Sequence, residues 1–577
     1  MITNRLKTLA ILFSVLLLII VVALLDRMVI HSDRYLNTRY TDKGFVELMD
    51  SLIDDAIFTK NGENITINEA KLNSRIRNDA TRSRVRKALG TLYIGKDGRI
   101  CFDRRVVSIV NNRPADGVPI ARGRFFDRNG LLLVENNIDE RNWKNARRYL
   151  YGPEFFPIIG HDTPIFGKRH LENVLDDYLL GKRHRPVYRN TSDPFKKMEL
   201  GDDVTLTLDA TVQKRAYSLL GAMRGAVVVL DIRSGEIVGA VSTPSFDPNT
   251  AKKDAWDKAF LDKLAKPCEN RAFSVLYPPG STFKTVVAAA WLEQQEKTPK
   301  DSNFSVFCNG GKNSLNISDI HSHGRVSLSN AFAESCNLYF SQVGVMLGDQ
   351  MLDYAQRFGF NRQWNLLPRL EGHDFTTTAS RAFMKKTMLN EKKPFDASDF
   401  NRNPKLIAQG AIGQNLIMAT PLQMAVVAAT VANSGVLMNP YLVKCIKDGD
   451  GKTLFSAVPD SGTRVIKEAS ASRMKELMAL VMLRGTGKDV KKMYYEAGKF
   501  TTAQQGKKGL LVKIAGKTGT SETGATNKLP HSWFIGYAPA DKPRYAIAVI
   551  AENQGFGSLT AAPIAVDVLA AALNAAR

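Results

Sequence analysis

Apolar and polar positions divide the chain into stretches of very different texture. The first is an uncharged run, "LAILFSVLLLIIVVALL", at residues 9–25. As a helix it reaches the lower limit for crossing a bilayer, about 17–25 residues. Arg5 and Lys7 precede it, which predicts a cytoplasmic N-terminus and export of the chain beyond residue 26. No small-x-small cleavage site and no lipid-accepting cysteine occurs in "LLDRMVIHSDRY", so the run reads as a retained signal anchor. Residues 27–120 are polar and basic. Their segment "RIRNDATRSRVRKAL" (75–89) carries six Arg or Lys residues. It reads as a solvated helical face, with contact to an anionic lipid or polymer as the sharper alternative.

The texture changes at "ARGRFFDRNGLLLVEN" (121–136), where Asp127–Gly130 predicts a hairpin turn. "GDDVTLTLDATVQKRAYSLL" (201–220) predicts a short alternating strand, then a helix capped by Asp209 or Thr211. "GAVVVLD" and "EIVGAVS" flank "IRSG" and predict a hairpin over 225–242. Mostly helical material fills 253–480, including "TPLQMAVVAATVANSG" ending at Gly435. Strands return at 510–520, 531–539 and 545–553, before an Ala- and Leu-rich helix at about 560–575. The expected class is α/β (α+β). One antiparallel sheet joins the N- and C-terminal halves of this region, with helices on both faces.

Composition narrows the choice. The chain has 577 residues, 44% hydrophobic and 24% charged, which suits several globular domains. Lys and Arg exceed Asp and Glu by 22, favouring an anionic neighbour; nucleic acid conflicts with an exported domain. The five cysteines, Cys101, Cys268, Cys308, Cys336 and Cys445, are scattered without a C-x-x-C pair. That spacing speaks against a zinc site and allows one bridge, for which Cys268–Cys308 is the candidate.

The chemistry starts at "YPPGSTFKTVVAAAWLEQ" (277–294). Two prolines and a glycine stop the chain, and a helix-like run opens with Ser281 and carries Lys284 three residues on. A serine hydroxyl needs a base, and none of the eight histidines sits in a recognisable triad. At i+3 the Lys284 amine lies beside that hydroxyl. Apolar surroundings and a second cation would lower its pKa enough to make a neutral amine accessible. The helix start adds backbone N–H groups that favour developing negative charge. S-x-x-K alone is weak, since about two copies are expected by chance in a chain this long. Two further motifs come after it in order: Ser335-Cys336-Asn337 within "AFAESCNLYF", and Lys517-Thr518-Gly519 ending an apolar strand. A second S-x-N, Ser314-Leu315-Asn316, lies in a polar loop and is rejected.

These three motifs resemble the signature of penicillin-binding proteins and serine β-lactamases. "GAVVVLDIRSGEIVGAVSTPSFDPN" (225–249), "AIGQNLIMATPLQMA" (411–425, with Asn415 where glycine is usual) and "HSWFIGYAP" (531–539) resemble further transpeptidase segments. "RGRFFDRNG" (122–130), with Phe126 replacing a smaller residue, resembles a class B motif, as do 149–161 and 167–181. The likeness implies a class B penicillin-binding protein laid out as a cytoplasmic tip and anchor (1–26), an elongated, mainly β pedestal or dimerisation-type domain (27–202, with an unusual insert at about 32–120) and a transpeptidase domain (203–577). No glycosyltransferase domain is expected. The implied activity is peptidoglycan D,D-transpeptidation through a Ser281 acyl-enzyme inhibited by β-lactams. Carboxypeptidase, β-lactamase, membrane sensor and non-catalytic scaffold are the alternatives. The implied roles are Ser281 nucleophile, Lys284 base, Ser335 and Lys517 proton relay, Asn337 substrate amide contact, and Thr518, Gly519 and Thr520 carboxylate binding, with the N–H groups of Ser281 and Thr520 as oxyanion hole. The likeness implies no metal or organic cofactor. Its implied partners are stem peptides, β-lactams, the bacterial cytoplasmic membrane through a single pass, and a membrane-embedded glycan polymerase. "RGRFFDRNG" has the composition of an interface anchor, with at least one of Phe125 and Phe126 expected in the core.

Overall fold

The computed structural model describes most of residues 120–490 and 514–576 and parts of 48–102, leaving out 140–143, 164–166, 191–196, 251–252, 263, 298–302, 387–391 and 523–527 within them. The apolar run 9–25 lies outside the described residues; among those described, no helix is long and apolar enough to cross a membrane.

The chain forms two compact units. One comprises 1–122, 136–147 and 161–201; the other comprises 123–135, 148–160 and 202–577. The segments 123–135 and 148–160, expected in the pedestal, thus fold with the second unit.

In the first unit, Val187–Asn190 and Lys197–Leu200 pair antiparallel, and Ile120–Ala121 joins Lys197–Leu200 in parallel. A smaller core of Met49, Leu52, Ile57, Leu72, Ile76 and Val85 supports the hairpin Phe58–Ile67 and the helix Glu69–Arg75. On that helix, Arg75 pairs with Asp55, and Arg86 pairs with Glu69. These are exposed pairs of the kind a solvated basic face makes, each worth little.

Arg122 does not have the exposure that an interface role for it requires. It is 2% exposed. Its Nε donates to Glu172 Oε2 at 2.8 Å, its Nη1 to Asp176 at 2.5 Å and its Nη2 to the Glu172 carbonyl at 2.6 Å. Arg147 closes the network on Glu172 Oε1 at 2.7 Å. Burial alone would raise the Asp176 carboxyl, yet Arg122 and Lys168 hold it well below the usual carboxylate range. The guanidinium fork holds two helix starts together, Leu171–Val174 and Asp176–Leu179, and cannot also face a partner. Removing it strands buried carboxylates. Arg122→Ala is expected to destabilise this unit by about 3–5 kcal/mol, read as a lower first transition in denaturant unfolding. Phe125, fully buried, is core, while Phe126 is half-buried with Arg124 over its ring.

The second unit is built on five antiparallel strands in the order Ile237–Thr243, Gly225–Asp231, Tyr545–Ala551, His531–Ala538, Ala515–Ser521. Gly225–Asp231 pairs with Tyr545–Ala551, so the two ends of the region meet at the sheet centre as the hydrophobic pattern predicts. The strands are apolar on both sides because both faces are covered. Helices Ala210–Leu220 and Ala561–Ala575 pack on Val227, Val229, Phe534, Ile547 and Val549. Alternation along the strands turns their other residues toward Pro421–Ala432, a helix buried along nearly its whole length. Asp209 caps Ala210–Leu220 by accepting from Thr211 N at 2.9 Å and Val212 N at 3.2 Å. A second small sheet pairs Asp203–Leu206 with Val443–Lys447 and, in parallel, with Phe125–Phe126. The turn after it is closed by Asp127, whose carboxylate accepts from Asn129 N and Leu131 N.

Candidate active site

Ser281 stands where the chain leaves Pro278-Pro279. Gly280–Phe283 form a single 3-10 turn, and the α-helix Lys284–Lys297 begins only after it. An α-helical start at Ser281 is therefore corrected. In a 3-10 turn, side chains at i and i+3 eclipse, so the tighter turn aligns Ser281 and Lys284 better than an α-turn does. The turn is wedged in place by glycines. Gly280 has φ +54°, donates to the Gly413 carbonyl at 2.9 Å, and would put a Cβ 2.6 Å from the Thr520 carbonyl. A Cβ on Gly519 would meet Thr282 Cγ2 at 2.8 Å. Trp533 Nε1 donates to the Pro278 carbonyl at 3.1 Å, which ties the turn to the sheet. Asn415, at the position where the family pattern carries glycine, adopts φ +56°, a left-handed conformation that asparagine tolerates best after glycine.

Lys284 is fully buried. Its Nζ donates to the Ser335 carbonyl at 2.6 Å, to Asn337 Oδ1 at 2.7 Å and to Ser335 Oγ at 3.3 Å. The second motif therefore closes directly on the first. Ser335 itself has φ +61° and lies between two helices, Leu328–Ala333 and Asn337–Leu347. That left-handed backbone aims a serine and an asparagine from a helix junction at one amine. The rejected Ser314–Asn316 lies in a loop and contributes nothing to this contact.

Lys517 and Thr518 are buried on the edge strand Ala515–Ser521, with Thr520 half-buried beside them. Lys517 Nζ sits 5.7 Å from the Phe332 ring centre and donates to the Thr518 carbonyl at 3.2 Å. Thr518 Oγ1 hydrogen-bonds Thr486 Oγ1, a residue the sequence motifs do not include. Burial lowers Lys517 well below an ordinary lysine, and the charge of Lys284 lowers it further. Burial likewise brings Lys284 down to about 8, against the opposing pull of Asp319 and Cys336. Each buried amine disfavours charge on the other. Lys284 Nζ has three acceptors and Lys517 Nζ one among the described residues, an arrangement that favours a shared proton on Lys284.

Asp319 is the main residue that the motifs do not reveal. Its Oδ2 accepts from Asn337 N at 2.7 Å and from Leu338 N at 3.3 Å, capping the helix that carries Asn337. An Asp in a polar loop gives no signal, because its partner helix starts eighteen residues later. The candidate bridge is also corrected: Cys268 and Cys308 are free thiols, and Cys308 turns toward Asp319 and His323.

Residues 225–570 match the family model for the penicillin binding protein transpeptidase domain. The chain is similar to a peptidoglycan D,D-transpeptidase PbpA of Mycolicibacterium smegmatis, 32% identical over 77% of this chain and 88% of the relative. It is similar also to a peptidoglycan D,D-transpeptidase MrdA of Haemophilus influenzae, 30% identical over 74% of this chain and 69% of the relative. Among solved structures, it resembles the D,D-transpeptidase domain of a peptidoglycan glycosyltransferase from Eggerthella lenta (TM-score 0.63, 28% identity, 78% of this chain and 98% of the other). The imipenem acyl-enzyme complex of penicillin-binding protein A from M. tuberculosis is similar to it as well (TM-score 0.62, 26% identity, 80% and 99%).

Proposed function

The chain belongs to the penicillin-binding protein transpeptidase family, as a class B member, and from that premise we propose that its acyl-transfer chemistry runs through Ser281. It is a peptidoglycan D,D-transpeptidase, a serine acyltransferase acting on D-Ala-D-Ala stem peptides and acylated by β-lactams. The observation that supports this assignment of residues is the buried Lys284 amine, held by Ser335 and Asn337 beside a second buried lysine.

Ser281 Oγ attacks the penultimate carbonyl, and its proton passes to a neutral amine. The free enzyme holds its one proton on Lys284, which has three acceptors. A substrate carboxylate arriving beside Lys517, Thr518 and Thr520 favours charge on Lys517. The proton then moves from Lys284 through Ser335 to Lys517, leaving Lys284 free as base. Protonated in turn, it returns that proton through Ser335 to the leaving nitrogen of D-Ala as the C–N bond breaks. A second stem's amine attacks the ester, loses a proton by the reverse path, and releases Ser281. Asn337 Nδ2 holds the donor peptide backbone, and the N–H groups of Ser281 and Thr520 take the oxyanion, each worth about 3 kcal/mol.

A pH dependence results. The singly protonated lysine pair is the reactive form, so the rate of acylation of the free enzyme holds below about 8 and falls as pH rises through it, where Lys284 gives up the proton that substrate draws to Lys517. Stopped-flow acylation across pH 6–10 reads this directly, and a flat profile over the range would remove Lys284 as the base. Product analysis with stem peptide and an added amine separates transfer from hydrolysis: cross-linked dimer supports the transpeptidase, while free tetrapeptide alone would make the chain a carboxypeptidase.

Residues 9–25 serve as a single-pass anchor in the bacterial cytoplasmic membrane, with the catalytic domain outside; support comes from the uncharged run and its basic flank. The pedestal, 27–202, engages a glycan polymerase by a surface other than Arg122. A reporter enzyme active only in the cytoplasm, fused at Arg577, is expected to be silent.

A further inference from the structure

Tyr277, which opens the segment leading to Ser281, carries a hydroxyl that the acyl-transfer chemistry does not use. That hydroxyl donates to Glu552 Oε1 at 2.8 Å, and Arg271 Nε donates to the same oxygen at 3.0 Å. All three side chains are buried. Arg271 turns its remaining nitrogens on the chain just before it: Nη1 donates to the Lys266 carbonyl at 3.1 Å and Nη2 to the Ala265 carbonyl at 2.7 Å. Glu552 Oε2 pairs with the partly exposed Arg224 at 3.0 Å. A buried ion pair seldom adds net stability over an apolar packing of the same volume. This one stands directly behind the nucleophile's turn, where its use is positional.

We propose that Tyr277, Glu552 and Arg271 set the spacing of the oxyanion hole by fixing the nucleophile's turn to the centre of the sheet. This rests on the reading that the Ser281 and Thr520 N–H groups form that hole. The two donors come from different segments, the 3-10 turn Gly280–Phe283 and the edge strand Ala515–Ser521. Both must lie about 2.7–3.1 Å from the oxyanion, so the depth of the turn against the sheet counts to a fraction of an ångström. Contact limits that depth on one side, since a Cβ on Gly280 would be 2.6 Å from the Thr520 carbonyl. The Glu552 carboxylate limits it on the other. It directly follows the middle strand, Tyr545–Ala551, and its N–H donates to the Arg224 carbonyl at 2.7 Å, at the start of the neighbouring strand.

Tyr277 passes this restraint on. Its backbone exchanges two hydrogen bonds with Ala419, at 2.9 and 2.8 Å. Its ring lies edge-on to His531 and Trp533, with ring centres 5.7 and 6.1 Å away. Pro278 and Pro279 follow, each with a fixed φ, so a shift at Tyr277 reaches Ser281 instead of being absorbed between them. Burial and the Glu552 charge hold the Tyr277 phenol well above its ordinary pKa, so it stays a donor. The three are positioning residues. Their loss lowers the acylation rate constant and leaves the noncovalent affinity for β-lactam in place.

Tyr277→Phe removes only the hydroxyl and leaves Glu552 paired with both arginines. In the full chain, stopped-flow acylation by fluorescent penicillin is expected to give a saturating rate constant about 10–100-fold lower. The half-saturating concentration should stay within about twofold, which also shows the cleft to be folded. A peptidyl boronic acid, tetrahedral once bonded to Ser281 Oγ and with an oxygen in the hole, should bind more weakly by a similar factor. Glu552→Gln, which reaches the same hydroxyl from the other side, should show the same split. Arg224→Gln, which keeps the link to Tyr277, should leave rate and boronate affinity within about twofold. Mapping the penicillin adduct to Ser281 in wild type and variants by intact mass and peptide digest keeps failure of this proposal distinct from failure of the transpeptidase reading. An unchanged rate constant in Tyr277→Phe overturns the proposal. So does a loss carried wholly by the half-saturating concentration, or an equal loss in Arg224→Gln.

Discussion

Ser281→Ala is expected to lose acylation by labelled penicillin by at least about 10⁴-fold while keeping its thermal transition within a degree or two. The neighbouring hydroxyls of Thr282 and Ser335 are committed elsewhere. Thr282 is buried and donates to the Pro279 carbonyl at 2.7 Å, and Ser335 stands in a strained corner with its hydroxyl beside Lys284. Ser281 is half-buried on the 3-10 turn, directly after Gly280, which packs on the Thr520 backbone. The measurement is intact mass after incubation with penicillin. An adduct on the variant would place the nucleophile elsewhere.

Lys284→Arg should be nearly as damaging, with acylation reduced on the order of 10³-fold although the charge is kept. Arginine never deprotonates, so the step that needs a neutral amine fails. Its planar fork also cannot meet three acceptors spaced for an ammonium, the Ser335 carbonyl and hydroxyl and the Asn337 amide oxygen. Near-wild-type rates would show that another group takes the proton. The same burial has a thermodynamic signature. A lysine lowered on folding binds its proton less tightly in the folded than in the unfolded state. Stability therefore rises with pH from about 8 up to the ordinary lysine value, and Lys284→Met should flatten that part of the curve.

Local rules read well from the chain. Asp209 as a cap, Gly130 in its turn, the 225–243 hairpin and the helix Pro421–Ala432, which stops three residues before Gly435, are set by neighbours in sequence. The three motifs were legible because the chemistry fixes residue types at short spacing. The features the sequence concealed were set by contacts between distant segments. Arg122 looks like a surface cation beside aromatics until Glu172 and Asp176 arrive fifty residues later to bury it. A 3-10 turn and an α-turn share the same periodicity over four residues, so only the packing of Gly280 on Gly413 and Thr520 decides between them. Asp319 belongs to a loop whose residues carry no hydrophobic period at all, and its meeting with the Asn337 and Leu338 amides depends on how the hairpin folds back.

The central pairing of the sheet has a consequence for how the enzyme comes into being. Val227 hydrogen-bonds beside Val549, about 320 residues later in the chain. During synthesis and export, the first hairpin therefore emerges with an open, apolar edge, and hundreds of residues pass before its neighbour appears. Until then, that edge is a template for the wrong strand. Nonsense mutations that remove Tyr545–Ala551 should leave no partial enzyme, only chains in need of a holdase or a protease. The motif serine is translated early, yet the site closes around it last.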